Sequence, residues 1–404
     1  MRIDDLDLAF DEESERGRHR HRRRRSGRGG DSAGRGRGGR TAVALLMSLV
    51  VVAALAGAVW YGFDKLGDFF KAPDYNSGGT GEVTVQVLEN QTAAQIGAEL
   101  ERLDVVKSQK AFVQAAKENP RSKEIQPGVY KLRKQMRASD ALLLLLDRET
   151  SRQVLRFTIP EGKTVKEVLD IAAKATNIPL ADFQAATKDP VAAGVPDWWF
   201  NRRDGKPAAK SIEGFLFPQT YEFNPGVTAD EIIKAIVTHF MEVATKVKFV
   251  DRVQNERNIS PFEALTVASL AQAEAGVPED LGKIARVAYN RTYKKKPPMP
   301  LQFDVTANYW LQLNGKPTKP SGQLTASELD DPNNPYNTVS KAGLPIGPIN
   351  NPGEAALVGA MEPPAGEWLF FVAIDKAGHS AFAVTADEHA ANVRQACANG
   401  VALC

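Results

Sequence analysis

The sequence is poor in cysteine and histidine, with two cysteines and five histidines in 404 residues. A disulfide-stapled fold is therefore excluded, because such domains carry many more cysteines for their length. No histidines and cysteines have metal-ligand spacing, and His379 and His389, ten residues apart, are expected to be structural or surface residues. We expect no metal and no cofactor. Cys397 and Cys404 could form a disulfide in an oxidising compartment, and two unpaired thiols are the open alternative.

Lysine is absent before residue 41, where every basic residue is arginine, including the run at 22–25. An acidic patch opens this segment and Arg, Gly and Ser follow, so few apolar groups are available to offset the entropy of ordering. We predict a disordered cytoplasmic tail over residues 1–40. Since the rest of the chain is nearly balanced in charge, the tail is no evidence for a nucleic-acid-binding fold. A topology signal beside a membrane is favoured over RNA binding.

Charge is also absent between residues 41 and 63. As a helix this stretch would be about 34 Å long at about 1.5 Å per residue, which matches the hydrocarbon core of a bilayer. Trp60 and Tyr61 at its far end are typical of a membrane interface. With the arginines before it, the stretch predicts a single-pass anchor in the plasma membrane, with the N-terminus in the cytoplasm and the rest outside. A signal peptide cleaved near 54–56 is less favoured, because its apolar core is usually only about 7–15 residues long.

The exported part has the pattern of an α+β protein in two pieces. A linker over 64–82 leads to a strand–helix–helix–strand–helix pattern, in which Ser139 is a plausible cap of the third helix. A larger mixed α+β part follows, with helices expected at about 228–256 and 261–275 and strands at 368–375 and 379–384. We predict a small module over 83–150, a catalytic domain over 151–396 and a C-terminal tail over 397–404.

The helix starting at Ser260 carries the residue most suited to chemistry. Ser260 and Glu263 form a capping-box pattern, and Gly276 is a suitable stop. The helix between them is apolar nearly all round except for Glu274, which shares the face of Leu270. Burial beside aliphatic groups and the negative end of the helix dipole should both raise the pKa of this carboxyl, as a proton donor requires. A structural ion pair with Lys283 or Arg286 is the alternative that the helix alone leaves open.

Later loops favour the catalytic interpretation. Gln302 and Asp304 add an amide and a second carboxylate, and the loops at 335–338 and 343–350 carry amides and hydroxyls on a Pro/Gly-stiffened backbone. Such loops can form a rigid polar groove. Aromatic platforms would suit it to a sugar polymer, and the candidates are Trp198, Trp199 and Tyr309.

The sequence resembles the endolytic murein transglycosylases of the YceG-like family over about residues 83–395. The matching motifs are IEGFLFP at 212–218 with Thr220 and Tyr221, ASLAQAE at 268–274, LQFD at 301–304, YNT at 336–338, GLP and GPI at 343–345 and 347–349, PG at 352–353, GH at 378–379 with Phe382, and EH at 388–389. The resemblance implies a LysM-like small module. It also implies a membrane-tethered enzyme that cuts peptidoglycan glycan strands near their synthesis, with cell-wall synthases as candidate partners.

The resemblance also implies roles for residues. Glu274 would be the general acid and base that cleaves the bond between N-acetylmuramic acid and N-acetylglucosamine and leaves a 1,6-anhydro end. Gln302 and Asn337 would position the sugar amides, with Tyr336 or Asp304 behind them. Glu213 would be a supporting or a structural residue.

Two positions depart from the family pattern. Members often carry Glu at the position of Gln272, and an Asp is common at the position of Gln219. If the first Glu were indispensable, the chain would be inactive.

Two alternatives to the lytic transglycosylase remain open. One is a hydrolytic muramidase that uses water and a second carboxylate, Asp304 or Glu213. The other is a non-catalytic scaffold that binds peptidoglycan.

Overall fold

A computed structural model describes Met47 and residues 49–59, 72–147 and 149–401. The chain divides into two units, Met1–Lys71 and Ala72–Cys404. In the first unit, Met47 and residues 49–59 are helical with exposed side chains. No helix within the described part of the chain is both long and apolar enough to cross a membrane. The predicted tail over 1–40, both ends of the predicted span over 41–63, and the first part of the predicted linker lie outside the described residues.

The second unit mixes helices with small antiparallel sheets, which confirms the α+β expectation. Its described α-helices are α1 (Ala93–Arg102), α2 (Gln109–Glu118), α3 (Ala138–Leu146), α4 (Val165–Thr176), α5 (Leu180–Ala186), α6 (Ala229–Lys246), α7 (Phe249–Glu256), α8 (Pro261–Glu274), α9 (Leu281–Tyr289), α10 (Val305–Leu313), α11 (Ala326–Leu329), α12 (Glu354–Met361) and α13 (Ala386–Ala398). Its described strands are β1 (Gly78–Val87), β2 (Gly128–Met136), β3 (Arg152–Gln153), β4 (Leu155–Thr158), β5 (Thr220–Phe223), β6 (Phe370–Ala373) and β7 (Ser380–Ala383).

The first part of this unit has the predicted order strand–helix–helix–strand–helix. β1 and β2 pair antiparallel with Val85 opposite Tyr130, and β3 joins the free edge of β2. The apolar faces of α1–α3 and the sheet close over one hydrophobic core, in which Val85 and Tyr130 are fully buried. α3 begins at Ala138 without a side-chain cap, so the predicted cap Ser139 is wrong, since Ser139 lies inside the first turn.

A larger core gathers residues between β4 and α12. The predicted helical structure over 228–256 is confirmed, but it is divided into two helices, α6 and α7, rather than being one. At the break Lys248 has a left-handed φ of 56°, which stops the α-helix. α6 therefore ends at Lys246 with Val247 as its C-cap, and α7 packs separately against α6, α8 and α12.

α8 runs through this core and is buried along most of its length. It starts as predicted: the Ser260 hydroxyl accepts from the Glu263 N–H, the Glu263 carboxylate accepts from the Ser260 N–H, and Pro261 occupies the first turn. About 14 residues at about 1.5 Å each give a rod of roughly 21 Å. Its C-terminal end carries Glu274 to the edge of the core.

The C-terminal strands form a hairpin. β6 and β7 pair antiparallel with Phe371 opposite Phe382, which confirms both predicted strands. α13 packs on the hairpin. Cys397, near the end of α13, is disulfide-bonded, and Cys404 lies outside the described residues.

Candidate active site

Glu274 is the last residue of α8, and its side chain is half-buried at the edge of the core. Its Oε1 atom is fully buried and has no hydrogen-bond partner among the described residues. Burial and, as the smaller cause, the negative charge of Asp304 raise the pKa of this carboxyl to about 8. The carboxyl is therefore protonated at neutral pH and can act as a proton donor.

The alternative structural ion pair for Glu274 is wrong. Lys283 Nζ lies 3.1 Å from Asp280 Oδ1. Arg286 donates from two nitrogens to backbone carbonyls at 2.7 Å. Within the described residues, neither cation pairs with Glu274, so no fixed positive charge offsets its burial.

A cleft of about 600 Å³ lies in front of Glu274 and is called the Glu274 cleft below. Its main lining residues are Glu274, Gly276, Arg291, Leu301, Gln302, Phe303, Asp304, Ser321, Phe370, Phe371, Gly378, Ser380 and His389. Its aromatic side chains come from Phe303 and the β6 strand. The predicted platforms Trp198, Trp199 and Tyr309 do not line it, and the last two are buried in the core. A concave surface with aromatic faces and a few polar groups suits a sugar ligand.

Gln302 and Asp304 reach the cleft as predicted. Gln302 has a left-handed φ of 57°, and its N–H donates to the carbonyl of Thr338 at 2.7 Å. This bond ties the segment before α10 to the loop at 336–338 and leaves the Gln302 side chain exposed. Burial raises the pKa of Asp304, and a hydrogen bond to Ser321 opposes that rise. The cleft therefore holds two carboxyls whose charges interact.

Arg291, which the sequence argument missed, supports one wall of the cleft. It lies in a π-helical turn, Asn290–Lys294, and is 5% exposed. Its guanidinium donates to the carbonyls of Leu369, Pro300 and Leu301 and to the Gln302 amide oxygen, at 2.5 to 3.1 Å. Burial lowers its pKa to about 10. The Arg291 side chain thus holds the segment around Gln302 against the hairpin of β6 and β7.

His389 on α13 also lines the cleft. Its ring stacks on Phe370 with centroids 5.2 Å apart, and its Nδ1 is buried without a hydrogen-bond partner among the described residues. Burial and the charge of Arg291 lower its pKa. His389 is therefore neutral near pH 7. His379 lies outside the cleft lining and bonds Asp375 at 2.8 Å.

Two glycines bring the walls of the cleft together. A Cβ on Gly276 would lie 2.5 Å from the carbonyl oxygen of Gly378, so the two loop backbones are in direct contact. Gly378 has a φ of 94°, which a larger residue rarely adopts. Glycine at both positions therefore lets the hairpin turn approach the end of α8.

The structure places Tyr336 and Asn337 away from the cleft lining. Asn337 Oδ1 accepts from the N–H of Val339 at 2.8 Å, and its amide nitrogen donates to Ser340 Oγ at 3.1 Å. Tyr336 is buried edge-on against Tyr309, with ring centroids 4.9 Å apart. Both side chains hold loop structure, so the structure does not place the predicted sugar contacts of these residues in the cleft.

Glu213 is a buried structural carboxyl outside the cleft. It accepts hydrogen bonds from the Val165 N–H at the start of α4, from Tyr309 Oη at 3.0 Å and from Asn351 Nδ2 at 3.2 Å. Burial raises its pKa to about 8. Of the two predicted roles, the structural one fits these contacts.

The family model described as the YceG-like family matches residues 85–395. The chain belongs to the YceG-like family. A relative from Bacillus subtilis (strain 168), named endolytic murein transglycosylase, is 31% identical over 313 residues, which cover 76% of this chain and 82% of the relative. A relative of the same name from Streptococcus pneumoniae serotype 2 is 27% identical and matches 86% of this chain, which spans 64% of that relative's length. The crystal structure of a yceG-like protein from Listeria monocytogenes matches with a TM-score of 0.50 at 27% identity, and the match covers 77% of this chain and 98% of that one.

At Gln272, where this YceG-like chain departs from the family pattern, the side chain is bonded to a loop outside the cleft. Gln272 Oε1 accepts a hydrogen bond from the Gly353 N–H at 3.0 Å, and Gln272 does not line the Glu274 cleft. An amide at this position therefore holds the loop before α12. The carboxyl that faces the cleft is the one two residues later, as the helical spacing predicts.

Proposed function

We propose that this YceG-like chain is a peptidoglycan lytic transglycosylase in which Glu274 is the general acid and base. Its curated relatives carry the name endolytic murein transglycosylase. The observation that carries the residue assignment is the position of Glu274, whose Oε1 is buried without a hydrogen-bond partner among the described residues and whose side chain lines a cleft of about 600 Å³; burial there raises its pKa. A buried acid of this kind is poised to give its proton to a substrate oxygen.

The reaction needs one carboxyl used twice. Glu274 gives its proton to the oxygen between N-acetylmuramic acid and N-acetylglucosamine while the bond from that oxygen to the muramic C1 breaks, through an oxocarbenium-like state. The carboxylate then takes the proton of the muramic C6 hydroxyl, whose oxygen bonds to C1 and closes the 1,6-anhydro ring. Glu274 ends protonated, and no water is consumed.

Other cleft groups would assist this step. Gln302 projects an amide beside the cleft and would bind a sugar acetamido group or hydroxyl. The negative charge of Asp304 favours the protonated form of Glu274 before reaction and would stabilise the positive charge that develops at C1. Tyr336, Asn337 and Glu213 are left out of the substrate contacts, because their polar atoms are bonded within the protein or lie outside the cleft lining.

A hydrolytic muramidase is the second candidate, because Asp304 provides a second carboxyl close enough to affect Glu274. In that case Asp304 would activate a water molecule or form a bond to C1. A non-catalytic scaffold is less well supported, since the acid and its cleft are both in place.

We further propose that residues 41–63 anchor the enzyme in the plasma membrane, with the arginine-rich tail in the cytoplasm and the catalytic part outside. The small module would be LysM-like and bind glycan. An enzyme so placed would cut nascent strands near the synthases that make them.

Product analysis tests the proposal. The full chain, purified in a mild detergent, would be incubated with peptidoglycan as wild type, as Glu274→Gln and as Lys210→Gln, a control at an exposed lysine outside the cleft. We expect 1,6-anhydro-muramic ends by mass spectrometry from the wild type and the control but not from Glu274→Gln. Reducing ends would indicate the hydrolytic muramidase. Glycan strands that stay uncut but still bind the protein would indicate the non-catalytic scaffold.

A further inference from the structure

A second cavity, of about 760 Å³, lies at the other end of α8 from Glu274. Its wall includes Glu263 in the first turn of that helix, about 16 Å from Glu274 at about 1.5 Å per residue. We call it the basic pocket and define it by Arg203, Lys206, Arg257, Arg286, Thr292 and Lys294. Nothing in the proposed cleavage step uses these residues.

The carboxylates of the basic pocket are already engaged. Glu263 accepts hydrogen bonds from the N–H groups of Ser260 and Arg203 and from Tyr293 Oη, at 2.8 to 3.1 Å. Asp204 pairs with Arg202, and Glu256 pairs with Arg252. Asp204 and Glu256 are therefore paired with cations, whereas Glu263 is held by hydrogen bonds from neutral groups; of the pocket's own cations, Lys294 pairs with Glu367.

The arginines, in contrast, bind neutral oxygens. Arg257 Nε donates to the carbonyl of Met361 at 2.9 Å, and Arg286 donates to two backbone carbonyls at 2.7 Å. Arg203 donates to the Asn258 amide oxygen at 2.9 Å. Within the described residues none of the three arginines has a carboxylate partner in an ion pair, and the carboxylates of Glu256 and Glu367 act on Arg257 and Arg286 only at longer range.

Arg257 and Arg286 also lie close enough to repel each other. Burial lowers the pKa of Arg286, and the positive charge of Arg257 lowers it further. Both terminal nitrogens of Arg257 lack hydrogen-bond partners among the described residues. Two adjacent guanidinium groups with free N–H donors form a site that an oxyanion can bridge with paired hydrogen bonds.

A polar side chain deeper in the pocket also lacks a partner. Thr292 is 6% exposed, and its hydroxyl has no hydrogen-bond partner among the described residues. Buried hydroxyls are normally satisfied, so this group is available to a ligand or to water.

The basic pocket shares a wall with the Glu274 cleft. In the turn Asn290–Lys294, Thr292 lines the basic pocket and Arg291 lines the cleft. In the segment that follows, Pro298 lines the basic pocket and Leu301 lines the Glu274 cleft. One segment of the chain, residues 290–301, therefore contributes to both sites.

We propose that the basic pocket binds an oxyanion, a carboxylate or a phosphate group, that the substrate carries beyond the bond cleaved at Glu274, an assignment that rests on the proposed function. Peptidoglycan offers two such groups: the carboxylates of its stem peptides, and the diphosphate that joins a nascent strand to its lipid carrier. Both match paired guanidinium groups.

Binding measurements on the full chain in detergent test this proposal. The probes are a muropeptide with an intact stem peptide and inorganic pyrophosphate, titrated by calorimetry at low ionic strength, where exposed charges are less screened. The variants are Arg257→Gln/Arg286→Gln and, because that pair also holds backbone carbonyls, the exposed single change Arg203→Gln. Lys210→Gln is the matched control, since Lys210 is exposed and lies outside the pocket. Thermal melting verifies that each variant is folded.

We expect wild type and Lys210→Gln to bind at least one probe equally well, with both pocket variants about tenfold weaker or worse. Tighter binding of the muropeptide would assign the stem carboxylate, and tighter binding of pyrophosphate the lipid-linked diphosphate. If neither probe saturates the wild type, or if the pocket variants bind like the control, the proposal is overturned. Because inorganic pyrophosphate has no glycosidic bond, its binding is read independently of cleavage, and failure of the proposed function would appear separately in the product analysis.

Discussion

Gln272 and Glu274 lie two residues apart on α8 and serve different parts of the fold. Gln272 Oε1 accepts a hydrogen bond from the Gly353 N–H at 3.0 Å, whereas the Glu274 carboxyl faces the cleft that it shares with Asp304. Residues two apart on a helix point about 200° apart, so they cannot exchange roles by a side-chain rotation. Of the two side chains, only Glu274 therefore lines the cleft, and Gln272 is bonded to the loop before α12.

The pair gives a matched comparison of activity. Glu274→Gln removes the proton donor and keeps the shape, so we expect kcat to fall by about 10²- to 10⁴-fold. Gln272→Ala removes one hydrogen bond outside the cleft, so we expect a stability loss of about 1 kcal/mol and a nearly unchanged kcat. Steady-state kinetics and thermal melting measure both. A loss of kcat in Gln272→Ala equal to that in Glu274→Gln would contradict the assignment.

The pH dependence of kcat/KM should change when the negative charge of Asp304 is removed. The Glu274 pKa is about 8, so activity that needs the protonated acid should decline as the pH rises through about 8. Asp304→Asn removes a negative charge that raises this pKa, so the alkaline limb of kcat/KM should move to lower pH. An alkaline limb that stayed in place or moved upward would show that Asp304 does not act on the acid.

The helix that carries the acid could be predicted from sequence because its signals are local. The Ser260–Glu263 capping box and the 100° spacing of side chains placed Glu274 on the face of Leu270 without tertiary information. Gln302 and Asp304 followed from motif resemblance, and both line the cleft.

Other site residues could not be predicted, because their roles depend on contacts between distant segments. Arg291 acts by joining the Gln302 segment to Leu369, and this pairing has no local sequence pattern. Asn337 looked like a sugar ligand by residue type, but its amide is bonded to Val339 and Ser340 in its own turn.

The buried acid should make stability depend on pH. The Glu274 pKa is about 8 in the folded protein against an ordinary value of 4.5. Its contribution is complete below about pH 4.5 and is lost as the pH rises through about 8, because the folded state keeps a proton that the unfolded chain has released. We expect Glu274→Gln to raise the Tm relative to wild type at about pH 9 and to change it little at about pH 4. The exposed change Glu279→Gln controls for loss of a carboxylate. An equal Tm difference at both pH values would contradict the burial argument.

A substitution at Glu213 should lower stability and leave kcat nearly unchanged, in contrast to Glu274→Gln, which should lower kcat. Glu213→Ala would leave the Val165 N–H and Tyr309 Oη without this acceptor in a buried site and would remove one of the two acceptors of Asn351 Nδ2, which also donates to the Lys163 carbonyl. Each orphaned donor costs about 1–3 kcal/mol, so we expect a total loss of about 3 kcal/mol or more in the free energy of unfolding. Folded protein at low temperature should keep a kcat near wild type, measured on the fraction that resists proteolysis. A selective loss of kcat without a loss of stability would instead return Glu213 to the reaction.

A substitution at Arg291 should affect both the stability of the fold and the binding of substrate. It is buried, and its guanidinium donates to four oxygens that fix the Gln302 segment against β6. Arg291→Lys keeps the charge but cannot span these acceptors, because an ammonium lacks the planar fork of donors. We expect a stability loss of about 2–4 kcal/mol and a KM raised more than kcat is lowered, since Gln302 would be displaced while Glu274 stays on α8. The change Arg252→Lys, at a half-buried arginine outside the cleft, is the control. A fall in kcat at unchanged KM would mean that Arg291 acts on the transition state itself rather than by holding the wall that binds the sugar.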